Sequence, residues 1–243
     1  MNLDVLVVAA HPDDAEISMG GTILRLLQAG AKVGIVDLTH GEMGTRGSGE
    51  TRDAETAAAT QAMGLSARFN LGLPDSRVEV SIENREALAA IFRQTRPSVV
   101  IGHHVEDLHP DHIAAGHLTR QAWYLSGLKR MAEQAGAAAA HRPRFLFHFL
   151  SHVAVEPTLV VNVTPVWERK LEVVRCYGSQ LQPEGQQDRG QHFLFGADIE
   201  ERMETKARYF GEKISVGFGE PLVHQGPLPI GHGLVPWLAT QRS

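Results

Sequence analysis

Two short runs of this chain concentrate histidine and carboxylate residues. His11-Pro12-Asp13-Asp14 follows the apolar run Leu3 to Ala9, and His109-Pro110-Asp111-His112 follows the shorter run Pro97 to Gly102. In the first run, a neutral imidazole and a carboxylate three residues apart can hold a metal while the neighbouring carboxylate stays free as a base. Either acid can also cap the helix that follows, since Asp is a favoured N-cap. The second run shifts the balance towards metal. His112 completes a two-histidine, one-carboxylate set with His11 and Asp14, which leaves positions open for water and substrate in the manner of a catalytic zinc. Metal ligation is therefore expected of His11, Asp14 and His112, with Asp13 as the free carboxylate.

These runs can meet only if the fold brings them together. Leu3 to Ala9 reads as a parallel strand buried on both faces, and Val33 to Leu38, Phe69 to Leu71 and Pro97 to Gly102 as further strands. Between them, Ile17 to Gln28, Thr51 to Met63 and Ile82 to Gln94 carry helical spacing, and a long helix opens near His112. Alternation of this kind predicts an α/β fold, a Rossmann-like three-layer sandwich with a mostly parallel sheet. Ligands then bind at the carboxyl ends of the strands, where both runs fall. Past Ala135–Ala140, Phe145 to Phe149 and Leu159 to Val163 read as strands, and Pro165 to Tyr177 and Ile199 to Tyr209 as helices. The tail from Pro221, rich in proline and glycine, reads as an irregular covering segment. One domain is expected over 1–243, with both motifs in a βα core over 1–135 and additional elements over 136–243.

The chain has 243 residues, with 23 Lys and Arg against 28 Asp and Glu, a net charge of −5. No basic stripe exists to release counterions from a nucleic acid, and no apolar run approaches the ~18 residues needed to span a bilayer. The single cysteine, Cys176, and an N-terminus without a basic leader segment predict a cytoplasmic protein. A dinucleotide site would need glycines in the first turn, where this chain has two carboxylates that would repel a phosphate. A non-catalytic metal module would give Asp13 and His109 no reason to accompany the ligands. Of the 13 histidines, His103 and His104 read as packed or solvated. His40, His117, His141, His148, His152, His192, His224 and His232 lack a partnered motif.

The loop Gly41 to Glu50 holds four glycines and follows the second strand, so it lies at the same edge. Arg46 in its middle and Arg52 just beyond it are the candidate substrate contacts, because a guanidinium grips a carboxylate in two bonds. For Arg52 the competing reading is a surface pair with Asp53 or Glu55.

The segments AHPDDAEISMGGTI and HPDH resemble the two signature motifs of the LmbE-like (PIG-L) zinc-dependent N-acetylglucosamine deacetylases. The resemblance extends through THGEMGTRGSGETRDAE, NLGLPDSRV and RYFGEKISVGFGEP, and is greatest to the branch acting in bacillithiol biosynthesis. It implies hydrolysis of an N-acetylglucosaminyl conjugate, most of all N-acetylglucosaminyl L-malate, with another small N-acetyl sugar as the alternative. It also implies zinc on His11, Asp14 and His112 with iron as a competing ion, Asp13 as general base, and His109 beside the oxyanion. A small-molecule substrate and a homo-oligomer, a hexamer in the resemblance, complete the expectation. Asp111 would either hydrogen-bond the His109 imidazole, holding it cationic, or cap the helix. The mycothiol branch has a tyrosine where this chain has Asp107, which disfavours a mycothiol-type substrate and leaves the assisting group unassigned.

Overall fold

The computed structural model describes residues 1–44, 49–136, 138–181 and 199–228. Among these residues, seven strands form one sheet: β1 (Val5–Ala9), β2 (Val33–Asp37), β3 (Ala67–Asn70), β4 (Val99–His103), β5 (Phe145–Phe149), β6 (Leu159–Asn162) and β7 (Gly219–His224). Their order is β3-β2-β1-β4-β5-β7-β6. The first five run parallel, and β7 lies antiparallel between β5 and β6. The expected mostly parallel α/β sheet is thus present.

Among the described residues, eight α-helices cover the sheet: α1 (Asp14–Gln28), α2 (Gly49–Met63), α3 (Ile82–Thr95), α4 (Pro110–Ser126), α5 (Lys129–Gln134), α6 (Trp167–Val174), α7 (Gly178–Leu181) and α8 (Ile199–Glu212). The alternation of β1 side chains assigns them to two cores. Val5, Val7 and Ala9 pack with Ile23, Trp167, Val173 and Met203 on one face, whereas Leu6, Val8 and Ala10 pack with Leu88, Phe92, Leu118 and Ala122 on the other. Burial on both faces is why β1 carries no polar residue. Among the described residues, no helix is long and apolar enough to cross a membrane.

β1 has β2 on one side and β4 on the other, so the strand order reverses between β1 and β4. The loops that leave these two strands part to opposite faces and open a crevice at their carboxyl ends. The two histidine–carboxylate runs are these loops.

Two sequence expectations change. α1 starts at Asp14 rather than Ile17 and breaks at Met19, whose φ of −145° is not helical. The restarted half needs a cap, and Glu220 of β7 supplies one. Its carboxylate accepts from the amides of Gly21 (3.0 Å) and Thr22 (2.6 Å) and from Thr22 Oγ1 (2.6 Å). Lys170 of α6 pairs with Glu220 at 2.7 Å and donates to the carbonyl of Ile17 at 2.8 Å. Gly21 is required here, because a Cβ would lie 2.7 Å from Val163 and 3.0 Å from Glu220 Oε1.

The second change is the segment expected to be irregular from Pro221, of which Pro221–His224 forms most of β7. Proline removes a ladder donor and ordinarily marks a sheet edge. Here Pro221 stands opposite Val160 of β6, and pairing with β5 begins only at Leu222, so the missing donor falls off the end of the β5 ladder. Residues 229–243 of the tail lie outside the described set.

Candidate active site

The first motif leaves β1 through a strained turn. Asp13 has φ of 100°, a left-handed conformation that a residue with a Cβ adopts only under constraint. It occupies the N-cap position of α1, yet its side chain makes no capping bond. Asp14 does not cap either, since its Oδ2 accepts backwards from the amide of His11 at 2.9 Å. Both carboxylates are thereby free to face the crevice.

Asp14 is the centre of the cluster. Its Oδ2 lies 3.2 Å from His11 Nδ1 and 3.3 Å from His103 Nε2, and its Oδ1 lies 3.2 Å from His112 Nε2. Ligand atoms of His11, Asp14 and His112 fall within 4.8 Å of one another. His11 Nε2 also meets Asp75 Oδ1 at 3.1 Å and Asp111 Oδ2 at 3.3 Å. Against the opposing effect of burial, the acids push the His11 pKa well above its ordinary value and that of His112 up to about 9. Buried imidazoles set among so many carboxylates form a pocket with surplus negative charge, which a divalent cation would neutralise. The donor set fits such an ion.

Burial raises Asp13 to about 7, reinforced by Asp14 and opposed by Arg52. A carboxylate poised there suits proton transfer near neutrality. Arg52 is only 4% exposed. Its Nη1 donates to Asp13 Oδ2 at 3.2 Å and its Nη2 to the carbonyl of Pro12 at 3.1 Å. The surface-pair reading of Arg52 is therefore overturned: the start of α2 points the guanidinium inward, beneath Gly41. At that position (φ +67°) a Cβ would come 2.5 Å from Arg52 Nη2. Arg46 lies outside the described residues.

His109 N-caps α4, its Nδ1 accepting the amide of Asp111 at 3.2 Å. That assigns the proton to Nε2 and leaves an N–H donor on the free side of the ring. Burial and the neighbouring His112 and His11 lower its pKa, so the cationic form is disfavoured. The anticipated Asp111–His109 side-chain bond is absent, and Asp111 is not the cap. Asp111 instead accepts from the amides of Ser76 (2.7 Å) and Val78 (3.2 Å) and touches His11, tying the β3–α3 loop to the first motif.

A cavity of about 870 Å³ opens from this cluster. His11, Asp13, Asp14, His109 and His112 line it together with Met203, Lys206 and Phe210 of α8.

The model of the PIG-L family, described as GlcNAc-PI de-N-acetylase, matches residues 6–123, which include both motifs. "Probable N-acetyl-alpha-D-glucosaminyl L-malate deacetylase 2" of Bacillus cereus is 30% identical over 197 residues, covering 75% of this chain and 86% of that protein. This chain belongs to the PIG-L family. Diacetylchitobiose deacetylase of Thermococcus kodakarensis is 29% identical over 193 residues, covering 73% and 70%. The crystal structure of a conserved protein from Thermus thermophilus superposes with a TM-score of 0.82 at 34% identity, covering 95% and 98%.

The structure adds residues to this PIG-L site that had no assigned role. Asp107 Oδ1 lies 3.2 Å from His112 Nδ1 and accepts from His152 Nδ1 at 2.7 Å. The His152 ring stacks parallel to His112, with centroids 5.0 Å apart and 8° between planes. Burial would raise Asp107, but the hydrogen bonds from His112 and His152 hold it well below the usual carboxylate range. His103 is fully buried, accepts the Ala10 amide at 3.0 Å and sits 4.1 Å from the His112 ring. A histidine ending an apolar strand was its only signal. Asp75, in NLGLPDSRV, is held to about 2 by His11 and by the Met43 and Ser76 amides, against the opposing effect of burial.

Proposed function

We propose that this chain hydrolyses the N-acetyl group of an N-acetylglucosaminyl conjugate, with N-acetylglucosaminyl L-malate the foremost substrate. The convergence of His11, Asp14 and His112 beside a base-poised Asp13 carries the reading. The Bacillus cereus relative supports the malate conjugate, and the Thermococcus relative supports a wider range of N-acetyl sugars. A divalent ion, zinc in this proposal, would be held by His11, Asp14 and His112 and would supply a Lewis acid that makes water and the amide carbonyl more reactive.

The chain's own residues carry the protons. Asp13 removes a proton from the attacking water as the C–O bond forms, then returns it to the nitrogen as the C–N bond breaks, giving acetate and a free amine. Arg52 holds that carboxylate in place. His109 directs its Nε2–H at the developing oxyanion as a neutral donor, an interaction worth on the order of 3 kcal/mol. Asp107, with Oδ1 3.2 Å from His112 Nδ1, favours the tautomer that keeps the proton on Nδ1 and leaves Nε2 as the ligand atom.

The test is a panel of N-acetylglucosaminides incubated with purified, zinc-supplemented protein and assayed for acetate and amine in equal amounts. Release from the malate conjugate is expected, and it should cease with a chelator and return on adding zinc. Failure to release amine from any member would overturn the proposal.

A further inference from the structure

α8 presents Met203, Ala207 and Phe210 to the interior, and Lys206 stands on that same face. Its Nζ donates to the carbonyls of Leu150 (2.5 Å) and Ser151 (2.8 Å), two neutral acceptors. Among the described residues, no carboxylate comes within 4 Å of it. The other cations of this region are matched: Lys170 with Glu220 at 2.7 Å, Arg52 with Asp13 at 3.2 Å, and Arg68 with Glu16 and Asp37 at 2.6 Å. Asp107 and Glu220 act on Lys206 only at longer range, and both are already engaged.

Two carbonyls need only hydrogen-bond donors, which a glutamine N–H or a water O–H provides without charge. An ammonium has a third N–H and a full charge, and withdrawing that charge from water without a counter-ion is unfavourable. Burial, with Lys170 nearby, accordingly lowers its pKa to about 8. Lys206 also lines the cavity that holds His11, Asp13 and His112. At about 870 Å³ that cavity is at the large end for small-molecule sites and has room beyond one sugar ring.

We propose that Lys206 is the specificity residue that docks an anionic group, carboxylate or phosphate, on the substituent attached to the N-acetylated sugar. The inference rests on the deacetylase reading and adds to it a side chain that recognises the substituent on the sugar. Lysine suits either anion, because it acts as a point charge rather than a two-pronged fork.

Wild type, Lys206→Gln and Lys206→Arg are compared on three N-acetylglucosaminides, bearing a neutral methyl, a carboxylate or a phosphate group. Lys206→Gln keeps N–H donors for the two carbonyls and removes the charge. Wild type should prefer an anionic conjugate, and Lys206→Gln should reduce that preference about tenfold or more, chiefly through KM. Lys206→Arg should restore part of it, and whichever anion loses more identifies the group. Equal losses on neutral and anionic sugars, or no anionic preference in wild type, would overturn the proposal and leave Lys206 as a loop clasp. Calorimetric binding of succinate and of inorganic phosphate, with thermal melts to confirm folding, reads the site without turnover. If no sugar is cleaved yet Lys206→Gln abolishes anion binding, the deacetylase reading fails and the anion site stands. If neither anion binds wild type or the variant changes nothing, the anion site fails.

Discussion

Replacing Glu220 with glutamine alters one atom of a carboxylate that accepts four hydrogen bonds, from Gly21 N, Thr22 N, Thr22 Oγ1 and Lys170 Nζ. Two donors meet Oε1 and two meet Oε2. Turned towards Gly21 and Lys170, the NH2 takes the acceptor from two buried donors; turned towards Thr22, it takes it from the amide alone, because the hydroxyl can rotate to accept. Each such loss costs roughly 1–3 kcal/mol, and Lys170, only 2% exposed, is left without its counter-charge. Breaking a buried pair from one side costs about 3–5 kcal/mol in all, a large part of the roughly 5–15 kcal/mol that holds a domain together. For a chain of this size that corresponds to a drop in Tm of the order of 10 °C. Urea denaturation of wild type, Glu220→Gln, Lys170→Met and the double variant gives the result. The double variant should be less destabilised than the sum of the singles by about 2 kcal/mol, because the uncompensated ammonium has gone. A Glu220→Gln loss below about 1 kcal/mol, or strict additivity, would refute the view that this pair caps the restarted half of α1.

Asp13→Asn should retain metal and lower kcat by ~10²-fold or more, whereas Asp14→Asn should lose metal; elemental analysis beside kinetics separates them. Asp107→Asn should weaken metal affinity by roughly 10–100-fold, measured by competition with a chromogenic chelator, because His112 loses the acceptor that sets its tautomer. His148, which donates to the His103 carbonyl at 2.7 Å, is lowered by burial to about 4 from an ordinary 6.5. The unfolded chain then binds the proton more readily, so stability is full above pH 6.5 and falls as pH drops from 6.5 to 4, by up to ~1.4 kcal/mol per unit; denaturation series at several pH values should show a shallower fall in His148→Gln.

What the sequence made legible was local. His11, Asp13 and Asp14 share one turn, His109 and His112 another, and each run follows an apolar strand, so type and spacing alone bring them to the crevice. βα alternation implied the parallel sheet, but the order that sets β4 beside β1 and joins the two runs comes from the structure. Asp75, His152 and Lys206 are isolated along the chain and, like Asp107 beside the second motif, acquire meaning through contacts over long separations. Asp75 meets His11, 64 positions earlier, Asp107 joins His112 to His152 forty residues on, and Lys206 holds carbonyls more than fifty positions before it. Arg52 departs from its sequence reading for a similar reason. Its sequence neighbours Asp53 and Glu55 suggest surface pairs, but Gly41 provides the space that lets the guanidinium turn inward to Asp13. Pro221 hides β7 because a rule about donors does not say where the adjacent ladder ends. That strand matters to the site, since its Glu220 secures the helix that begins at Asp14. The turn that carries His11, Asp13 and Asp14 near the start of the chain is therefore held partly by a residue some two hundred positions later, a dependence that the Glu220 series measures directly.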